Sequence, residues 1–292
     1  MSELVLGIDF GGTKVALGIA DRAGRLLEQT RLGTDPAGGA EQVVSRALTA
    51  ARDLLAGRAP AAVGVVSPGI VLPEKILLAP NVPGWGRLRL RELVAAEFGP
   101  AVTVGTDVKA AGLAETRWGA LAGADPAVFL SLGTGIAAAI VVGGRVLAGA
   151  NGAAGEIGYN LRGAGDTASF AEGAAPLEEA VGGRGLGMRA SERLGRDVTA
   201  AELFGLARDD AVAKAVVSEA LDELSVHVAN LAITLDPRRI AVGGGLLGSA
   251  EIILPALRER LANAVPFPPE LVAAHFTQDG ALRGAIALAG SA

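Results

Sequence analysis

Residues 4–14 read LVLGIDFGGTK, an apolar run that reaches Asp9 and continues into two glycines, a threonine and a lysine. The apolar run predicts a buried β-strand, and the glycines predict a turn. A second strand is predicted directly after the turn, because apolar side chains alternate over residues 15–19. Residues 128–144 repeat the whole arrangement, with the glycine turn at residues 133–135. Two copies of a strand–turn–strand unit, about 120 residues apart, predict two related domains.

Helical and strand patterns alternate along the rest of the chain, which is typical of an α/β fold. Helices are predicted at residues 39–55, 88–98, 182–194, 211–235 and 280–289, and further strands at 62–66, 102–104 and 240–242. We predict an N-terminal domain of residues 1–105 and a C-terminal domain of residues 106–279. The last segment, residues 280–292, is expected to pack back on the first domain.

Composition excludes several classes of protein. The chain has 292 residues, half of them hydrophobic, a net charge of −5 and no cysteine. The negative charge argues against nucleic-acid binding, and the lack of cysteine excludes disulfides, thiolate catalysis and cysteine-ligated metals.

The N-terminus lacks the pattern of a signal peptide. The longest uncharged stretch, residues 126–144, is interrupted by Ser131 and by glycines, and predicts strand–turn–strand rather than a membrane span. We expect a cytoplasmic protein that does not associate with membranes.

The two glycine turns are candidate phosphate-binding loops. Glycines after a strand let backbone N–H groups approach a phosphate, although a tight hairpin turn is the alternative explanation for each loop. Residues 7–14 imitate the spacing of a nucleotide-binding P-loop but open a strand instead of a helix. Residues 243–248 match a dinucleotide-binding pattern, yet no suitable acidic residue follows. We interpret both of these matches as false.

Four carboxylates are candidates for chemistry, each with an alternative structural role. Asp9 follows the first strand and could hold Mg²⁺, directly or through water, or cap the turn. Asp107 stands where a helix begins, so it could cap that helix or accept a proton from a substrate hydroxyl. Glu156 lies among small residues that leave room for a ligand, and Glu178 could simply complement a helix dipole. His227 falls on the apolar side of a long helix and is interpreted as a packing residue.

Together these motifs resemble the ROK family of sugar kinases and repressors, within the actin/hexokinase-like ATPase superfamily. The resemblance covers nearly the whole chain and rests on residues 9–14, 79–85, 132–135, 149–158 and 235–245. It implies a two-domain α/β fold that is actin-like and ribonuclease H-like, with a cleft between the domains. It also implies a homodimer.

The resemblance implies an ATP-dependent, Mg²⁺-dependent kinase that phosphorylates the 6-hydroxyl of a hexose, with Asp107 as general base and Asp9 near the Mg²⁺. It implies hexose contacts from Pro68, Gly69, Asn81, Thr106, Asp107, Glu156, Tyr159 and Glu178. It implies nucleotide or phosphate contacts from Asp9, Gly11, Gly12, Thr13, Lys14, Gly133, Thr134, Gly135, Gly244 and Gly245.

This sequence departs from the family pattern at two positions that should line the hexose site. Thr106 replaces the usual asparagine before the catalytic aspartate, and Tyr159 replaces a histidine that normally contacts the sugar and ligates a structural zinc. Residues 160–177 lack the three cysteines that complete the zinc site. We therefore expect no structural zinc, and a loop held by packing and hydrogen bonds, with Phe170 as a candidate. The acceptor is expected to be glucose or a related amino or otherwise modified hexose.

Two other functions are compatible with the family resemblance. A sugar-sensing repressor is disfavoured, because the first glycine loop lies so near the N-terminus that no helix-turn-helix domain precedes it. A catalytically degenerate sugar-binding regulatory protein remains the alternative. The choice between ATP and polyphosphate as donor stays open.

Overall fold

The computed structural model describes residues 3–72, 74–79, 82–167 and 169–290. It separates into two compact units, each assembled from more than one stretch of the chain. Unit 1 contains Met1–Arg117, Ala148–Ala154 and Asp279–Ala292, and unit 2 contains Trp118–Leu147 and Gly155–Gln278.

Unit 1 is built on a five-stranded sheet, with a smaller two-stranded sheet beside it in the described residues. Its first elements in chain order are Leu4–Phe10 (β1), Lys14–Asp21 (β2), Leu26–Gly33 (β3), Gly39–Leu55 (α1), Ala62–Ser67 (β4), Ile70–Val71 (β5), Ile76–Leu77 (β6), Leu90–Phe98 (α2), Val102–Thr106 (β7) and Asp107–Trp118 (α3). The apolar residues of α1 and of the large sheet form one core.

The order of strands in the large sheet is β3-β2-β1-β4-β7. The hairpin strands β1, β2 and β3 are antiparallel, whereas β1, β4 and β7 run parallel. Asp9 pairs in register with Val66, and Ser67 pairs with Thr106. The carboxyl ends of the three parallel strands therefore lie at one edge of the sheet.

Unit 2 repeats this design. Its elements are Ala127–Leu132 (β8), Ile136–Val142 (β9), Arg145–Val146 (β10), Pro176–Val181 (α4), Gly183–Leu194 (α5), Ala200–Leu206 (α6), Ala211–Leu235 (α7), Arg239–Gly243 (β11), Ala250–Ala264 (α8) and Glu270–Ala273 (β12). The strand order β10-β9-β8-β11-β12 has the same arrangement of antiparallel and parallel neighbours as the sheet of unit 1. The predicted internal repeat and the α/β, actin-like fold class are confirmed.

The last helix, Gly280–Ala289 (α9), packs against unit 1. It contacts β1 and β4 at Gly7 and Gly64, where a side chain would collide with the helix. A side chain on Gly284 of α9 would likewise collide with the backbone of Ala110 in α3. The Arg117 guanidinium, also in α3, donates to the Ala287 carbonyl of α9 at 2.5 Å. These contacts join α3 and α9 to the same unit, so its first segment extends to Arg117 and not only to residue 105.

The predicted helices at residues 39–55, 211–235 and 280–289 are confirmed to the residue as α1, α7 and α9. Helix α2 begins two residues later than predicted, the helix expected after Pro176 is α4, and α6 and α8 were not predicted at all. The stretch of residues 126–144 forms the β8–β9 hairpin, as expected. Across the described part of the chain, no helix combines the length and the apolar character that spanning a membrane requires.

Candidate functional site

Three parallel strands of unit 1 carry polar residues to one edge of the sheet. Asp9 is the penultimate residue of β1, and Ser67 is the last residue of β4. Thr106 is the last residue of β7, and Asp107 opens the helix that follows. In open α/β sheets, ligands bind outside the carboxyl ends of the parallel strands. Asp9, predicted to lie near Mg²⁺, and Asp107, predicted to be the general base, are thus brought to the same edge from distant parts of the chain.

The carboxyl groups of Asp9 and Asp107 interact electrostatically. The pKa of Asp9 is raised from its ordinary 3.8 to about 7, first by burial and then by the negative charge of Asp107. The cations of Lys14 and Arg31 act in the opposite direction. Burial and a like charge both disfavour the ionised carboxylate, and a perturbed pair of this kind is common at functional sites.

Asp107 is the first residue of α3, and the Val108 N–H donates to its Oδ1 at 2.7 Å. This bond satisfies one of the N–H groups that a helix leaves unpaired at its start. The helix dipole also favours a negative charge at this end. The capping role that the sequence offered for Asp107 is therefore present, and it holds the carboxylate at the carboxyl end of β7.

The first glycine loop, residues 11–13, joins β1 to β2. The Gly11 N–H donates to the Lys14 carbonyl at 2.9 Å, and a Cβ on Gly11 would lie 2.8 Å from that oxygen. Thr34, which is 1% exposed, supports the loop from behind: its hydroxyl donates to the Gly11 carbonyl at 2.7 Å, and its N–H donates to the Thr13 carbonyl at 3.0 Å. Lys14 begins strand β2, so the rejection of a P-loop is confirmed.

Pro68 and Gly69 form the turn that follows β4. Ser67 is fully buried, and its Oγ accepts the Trp85 Nε1–H at 2.8 Å. Gly69 has φ +84°, and a side chain there would collide with the Leu77 carbonyl. The third predicted residue on this side, Asn81, lies outside the described residues.

A small pocket connects this turn to the first glycine loop. Its lining consists of Phe10, Gly11, Gly12, Pro68, Ala79, Val82 and Trp85. The Phe10 and Trp85 rings pack edge to face, with centroids 5.3 Å apart. Predicted phosphate and hexose residues of unit 1 thus share one pocket.

Residues 148–154 also belong to unit 1, although they follow strands of unit 2 in the sequence. Gly149 has φ +81°, and the Ala154 N–H donates to the Ala148 carbonyl at 3.1 Å, which closes the segment into a turn. A Cβ on Gly152 would lie 3.2 Å from the Ile70 Cγ2. The small side chains of this segment therefore permit close packing on the β5–β6 hairpin.

The second glycine loop, residues 133–135, joins β8 to β9 in unit 2. The Gly133 N–H donates to the Gly135 carbonyl at 2.9 Å, which closes the turn. The N–H groups of Gly183 and Arg184 donate to the carbonyls of Gly133 and Thr134 at 2.8 and 3.1 Å. The first turn of α5 thus directs two of its unpaired N–H groups at the loop and fixes the loop's backbone.

The glycine turn after β11 lies against the second loop. Gly244 has φ +95°, and a Cβ there would lie 2.3 Å from the Leu132 carbonyl. A Cβ on Gly133 would lie 3.9 Å from the Gly245 nitrogen. Gly244 and Gly245, the predicted nucleotide residues, are therefore placed beside the second glycine loop.

Glu178 lies beneath the second loop. Its Oε2 accepts the Ile136 N–H at 3.0 Å, and a Cβ on Gly135 would lie 2.2 Å from the same oxygen. Burial raises the pKa of Glu178; the Ile136 hydrogen bond lowers it, and the charge of Glu156 raises it. The sequence indicated a ligand or a helix-dipole role for Glu178, and this contact with the loop was not predicted.

Tyr159 lies beside both glutamates predicted to bind the hexose. Its pKa is raised by burial first, and then by the charges of Glu178 and Glu156. A phenol that stays protonated between two carboxylates can donate a hydrogen bond to a ligand. The structure thus brings Glu156, Tyr159 and Glu178 together in unit 2.

The segment after Tyr159 is attached to the protein by side-chain contacts. The Tyr159 and Phe170 rings pack edge to face at 5.6 Å, as the sequence suggested for Phe170. The next contacts are an Asn160 Nδ2–His227 Nδ1 pair at 3.4 Å and a two-pronged Arg162–Glu223 ion pair, in which Nη2 donates to Oε2 at 2.8 Å.

His227 is therefore more than the packing residue that the apolar pattern predicted, because its ring faces Asn160. Burial lowers its pKa, which favours the neutral ring. Among the described residues, no three or more His, Asp or Glu side chains are grouped so as to hold a metal ion.

Sequence reasoning missed the residues that support the site from behind, namely Thr34, Ser67, Trp85 and Ile136. Each of them acts through a hydrogen bond to a residue well separated in the sequence, for example 23 positions between Thr34 and Gly11. No local pattern marks such a partner. Thr34 follows strand β3 and Ser67 ends strand β4, which was the one signal available.

Comparison with known proteins finds relatives that are similar over nearly the whole chain. The chain is 32% identical to a ROK hexokinase from Thermus thermophilus, with a TM-score of 0.84 and coverage of 98% of this chain and 97% of the other. It is 29% identical to a ROK family glucokinase from Streptomyces griseus, solved with glucose and AMPPNP, with a TM-score of 0.82 and coverage of 99% and 100%.

An N-acetylgalactosamine kinase, AgaK, from Shewanella sp. (strain ANA-3) is 30% identical over 304 residues, which cover 97% of this chain and 95% of that protein. The family model described as "ROK family" matches residues 5–292. The match covers nearly the whole chain, including both glycine loops and both sheets. The chain belongs to the ROK family.

Proposed function

We propose that the protein is an ATP-dependent kinase that transfers the γ-phosphoryl group of ATP to the 6-hydroxyl of a hexose. The electrostatic pair of Asp9 and Asp107 at the carboxyl ends of β1 and β7 is the observation that carries this proposal. The three similar proteins named above are described as a hexokinase, a glucokinase and an N-acetylgalactosamine kinase. They support the reaction class.

In this proposal Asp107 accepts the proton of the 6-hydroxyl as its oxygen attacks the phosphorus. Glu156, Tyr159 and Glu178 orient the other hydroxyls of the hexose, together with Pro68 and Gly69. The backbone N–H groups of the glycine loops receive the phosphates. Most of the rate enhancement would come from positioning and from neutralising charge.

Asp9 fits the part of a single protein carboxylate near a Mg²⁺ ion. Mg²⁺ usually keeps several waters and binds through one or two carboxylates and the substrate phosphates, so a protein cage of several ligands is not needed. The ion would neutralise negative charge on the phosphates of ATP. Burial and the charge of Asp107 raise the pKa of Asp9 more than Lys14 lowers it, so the positive charge of a Mg²⁺ ion would favour the ionised carboxylate that such a role needs.

The acceptor proposed is glucose or a related amino or modified hexose. Thr106 and Tyr159 stand where the family usually has asparagine and histidine, and a site that pairs with one pattern of hydroxyls rejects another strongly. The similarity to an N-acetylgalactosamine kinase supports the inclusion of amino sugars.

The test is ADP release from Mg-ATP with a panel of hexoses: glucose, mannose, free amino-hexoses and N-acetylated amino-hexoses. Asp107→Asn should lower kcat at least about 100-fold, because general base catalysis contributes that much or more. The matched control is Asp210→Asn, since Asp210 also occupies a helix start and accepts the Ala213 N–H at 2.8 Å. The control should keep wild-type turnover.

The alternative is a catalytically degenerate sugar-binding regulatory protein of the same family. Calorimetry that shows a hexose binding, without ADP release from any member of the panel, would favour this alternative. Polyphosphate in place of ATP belongs in the same assay as a second donor.

The family resemblance also supports a homodimer and a cytoplasmic location. Light scattering on the purified protein tests the first, and fractionation of cells tests the second.

A further inference from the structure

The side chain of Glu178 is attached to the end of the second glycine loop. Its Oε2 accepts the N–H of Ile136, the first residue after the loop, at 3.0 Å. The same oxygen lies so close to Gly135 that no side chain fits between them. A displacement of this carboxylate must therefore move the loop or break the hydrogen bond.

The backbone that carries Glu178 is attached to the start of the same loop. The Gly182 N–H donates to the Glu178 carbonyl at 2.7 Å and ends α4. The next two residues, Gly183 and Arg184, donate to the carbonyls of Gly133 and Thr134. One short stretch of chain, residues 178–184, therefore contacts the loop at both ends.

Other neighbours of Glu178 include Gly158 and two residues that we assign to the hexose, Tyr159 and Glu156. A Cβ on Gly158 would lie 3.2 Å from the Glu178 Cβ. Tyr159 and Glu156 both interact electrostatically with the Glu178 carboxylate. One side chain thus contacts the end of the second glycine loop and also interacts with two residues assigned to the hexose.

We infer that Glu178 couples the binding of hexose to the binding of nucleotide within unit 2. A hexose hydroxyl that donates to Glu178 fixes the position of its carboxylate, and the carboxylate then fixes the second glycine loop in the form that receives the phosphates. By linkage, the nucleotide must raise the affinity for the hexose by the same factor. This inference rests on the proposed function, because it takes Glu178 as a hexose ligand.

The test measures the dissociation constant of Mg-AMPPNP by calorimetry, without hexose and with saturating hexose. The hexose probe is glucose, or the sugar of the panel that gives turnover. In the wild type, hexose should lower this constant by about fivefold or more, the usual lower range for coupled sites. The coupling ratio is the dissociation constant without hexose divided by the constant with hexose. In Glu178→Asp this ratio should fall to about one, because the shorter carboxylate cannot reach Ile136 and the hexose together.

Two further variants separate coupling from a merely structural role. Glu178→Gln keeps the length of the side chain and a carbonyl acceptor for Ile136, so it should retain part of the coupling. Glu179→Asp changes the adjacent residue of α4, whose Oε1 accepts the Ala175 N–H at 3.0 Å, and should leave the ratio at its wild-type value. Equal losses in Glu178→Asp and Glu179→Asp would overturn the inference.

A measurement on the wild type removes any dependence on how the variants fold. The same hexose probe alone, without nucleotide, should slow hydrogen exchange in a peptide that contains residues 133–136. Unchanged exchange in protein saturated with that hexose, or a ratio of one while both ligands bind, would overturn the coupling and leave the kinase proposal standing. If neither ligand binds, both proposals fail together.

Discussion

Asp9 is a residue whose protonation affects the stability of the fold. It lies on β1, the central strand of the five-stranded sheet, and its carboxyl group is largely buried and interacts electrostatically with Asp107. Its folded-state pKa of about 7 exceeds the ordinary value of 3.8. The folded protein therefore prefers the protonated carboxyl, and ionisation of Asp9 opposes folding.

Asp9→Asn tests this at the scale of one residue, because asparagine resembles the protonated carboxyl. Below pH 4 both states of the wild type carry protonated Asp9, so its favourable contribution is fully present. That contribution is lost as the pH rises through about 7. The variant should gain free energy of unfolding over the wild type across this window, by about 4 kcal/mol at most, since one pKa unit corresponds to about 1.4 kcal/mol.

Urea unfolding at pH 5 and pH 8 measures the difference. The m-values should be equal, because the surface exposed on unfolding is the same. The prediction would be contradicted if the free energies of unfolding of the two proteins differed by the same amount at pH 5 and at pH 8.

At the scale of elements, the segment after Tyr159 is attached to helix α7. Asn160 faces His227, and Arg162 pairs with Glu223, so two successive contacts reach one side of the helix. The Asp166 carboxylate also accepts the Arg162 N–H at 2.7 Å. These contacts determine where Tyr159 stands beside the glutamates of unit 2.

Arg162→Met should raise the KM for hexose severalfold and leave the KM for ATP unchanged. Loss of the Glu223 partner lets the segment and Tyr159 move, while the second glycine loop keeps its own contacts. The free energy of unfolding should fall by no more than about 1 kcal/mol, because the ion pair is partly exposed.

The matched control is Arg193→Met, which removes a second two-pronged arginine–glutamate pair on α7, with Glu219. The control should leave both KM values unchanged, and Arg162→Lys should restore part of the hexose affinity. Equal effects of Arg162→Met on both substrates would count against a positioning role.

At the scale of the whole molecule, the two ends of the chain meet in unit 1. Helix α9 lies on the first strand and on β4, and the close approach depends on glycines. A Cβ on Gly64 would lie 1.7 Å from the Ala285 carbonyl, and one on Gly7 would lie 2.8 Å from the Ile286 Cγ1. The packing of unit 1 is therefore complete only when helix α9 lies on β1 and β4.

Gly64→Ala should lower the free energy of unfolding by about 3 kcal/mol or more, because the methyl group collides with helix backbone rather than with a flexible side chain. Gly33→Ala is the control, since Gly33 also belongs to a strand of the same sheet but has open space around it. Urea unfolding of both variants at one pH provides the comparison. A difference below about 0.5 kcal/mol between them would disprove the packing argument.

Local patterns predicted much of the fold but not its exceptions. The periodicity of α7 marked its bounds, Ala211–Leu235, because an apolar stripe and a helix start are encoded in neighbouring residues. Helix α8 was missed: it contains Pro255, which local rules treat as a helix breaker, and its apolar face packs in the core of unit 2. Tertiary burial outweighed the local preference.

The sequence by itself determined the chemical groups that this protein can use. These are a pair of aspartates at the ends of strands and two glycine loops in a repeat, in a chain that has no cysteine. Its motifs were enough to indicate the family. Only the tertiary structure decided that Glu178 reaches Ile136 across 42 residues and that Thr34 supports the first glycine loop. These contacts join residues whose spacing follows no helical or strand period. They exist because the folded sheets bring the two partners together, and no local pattern records that.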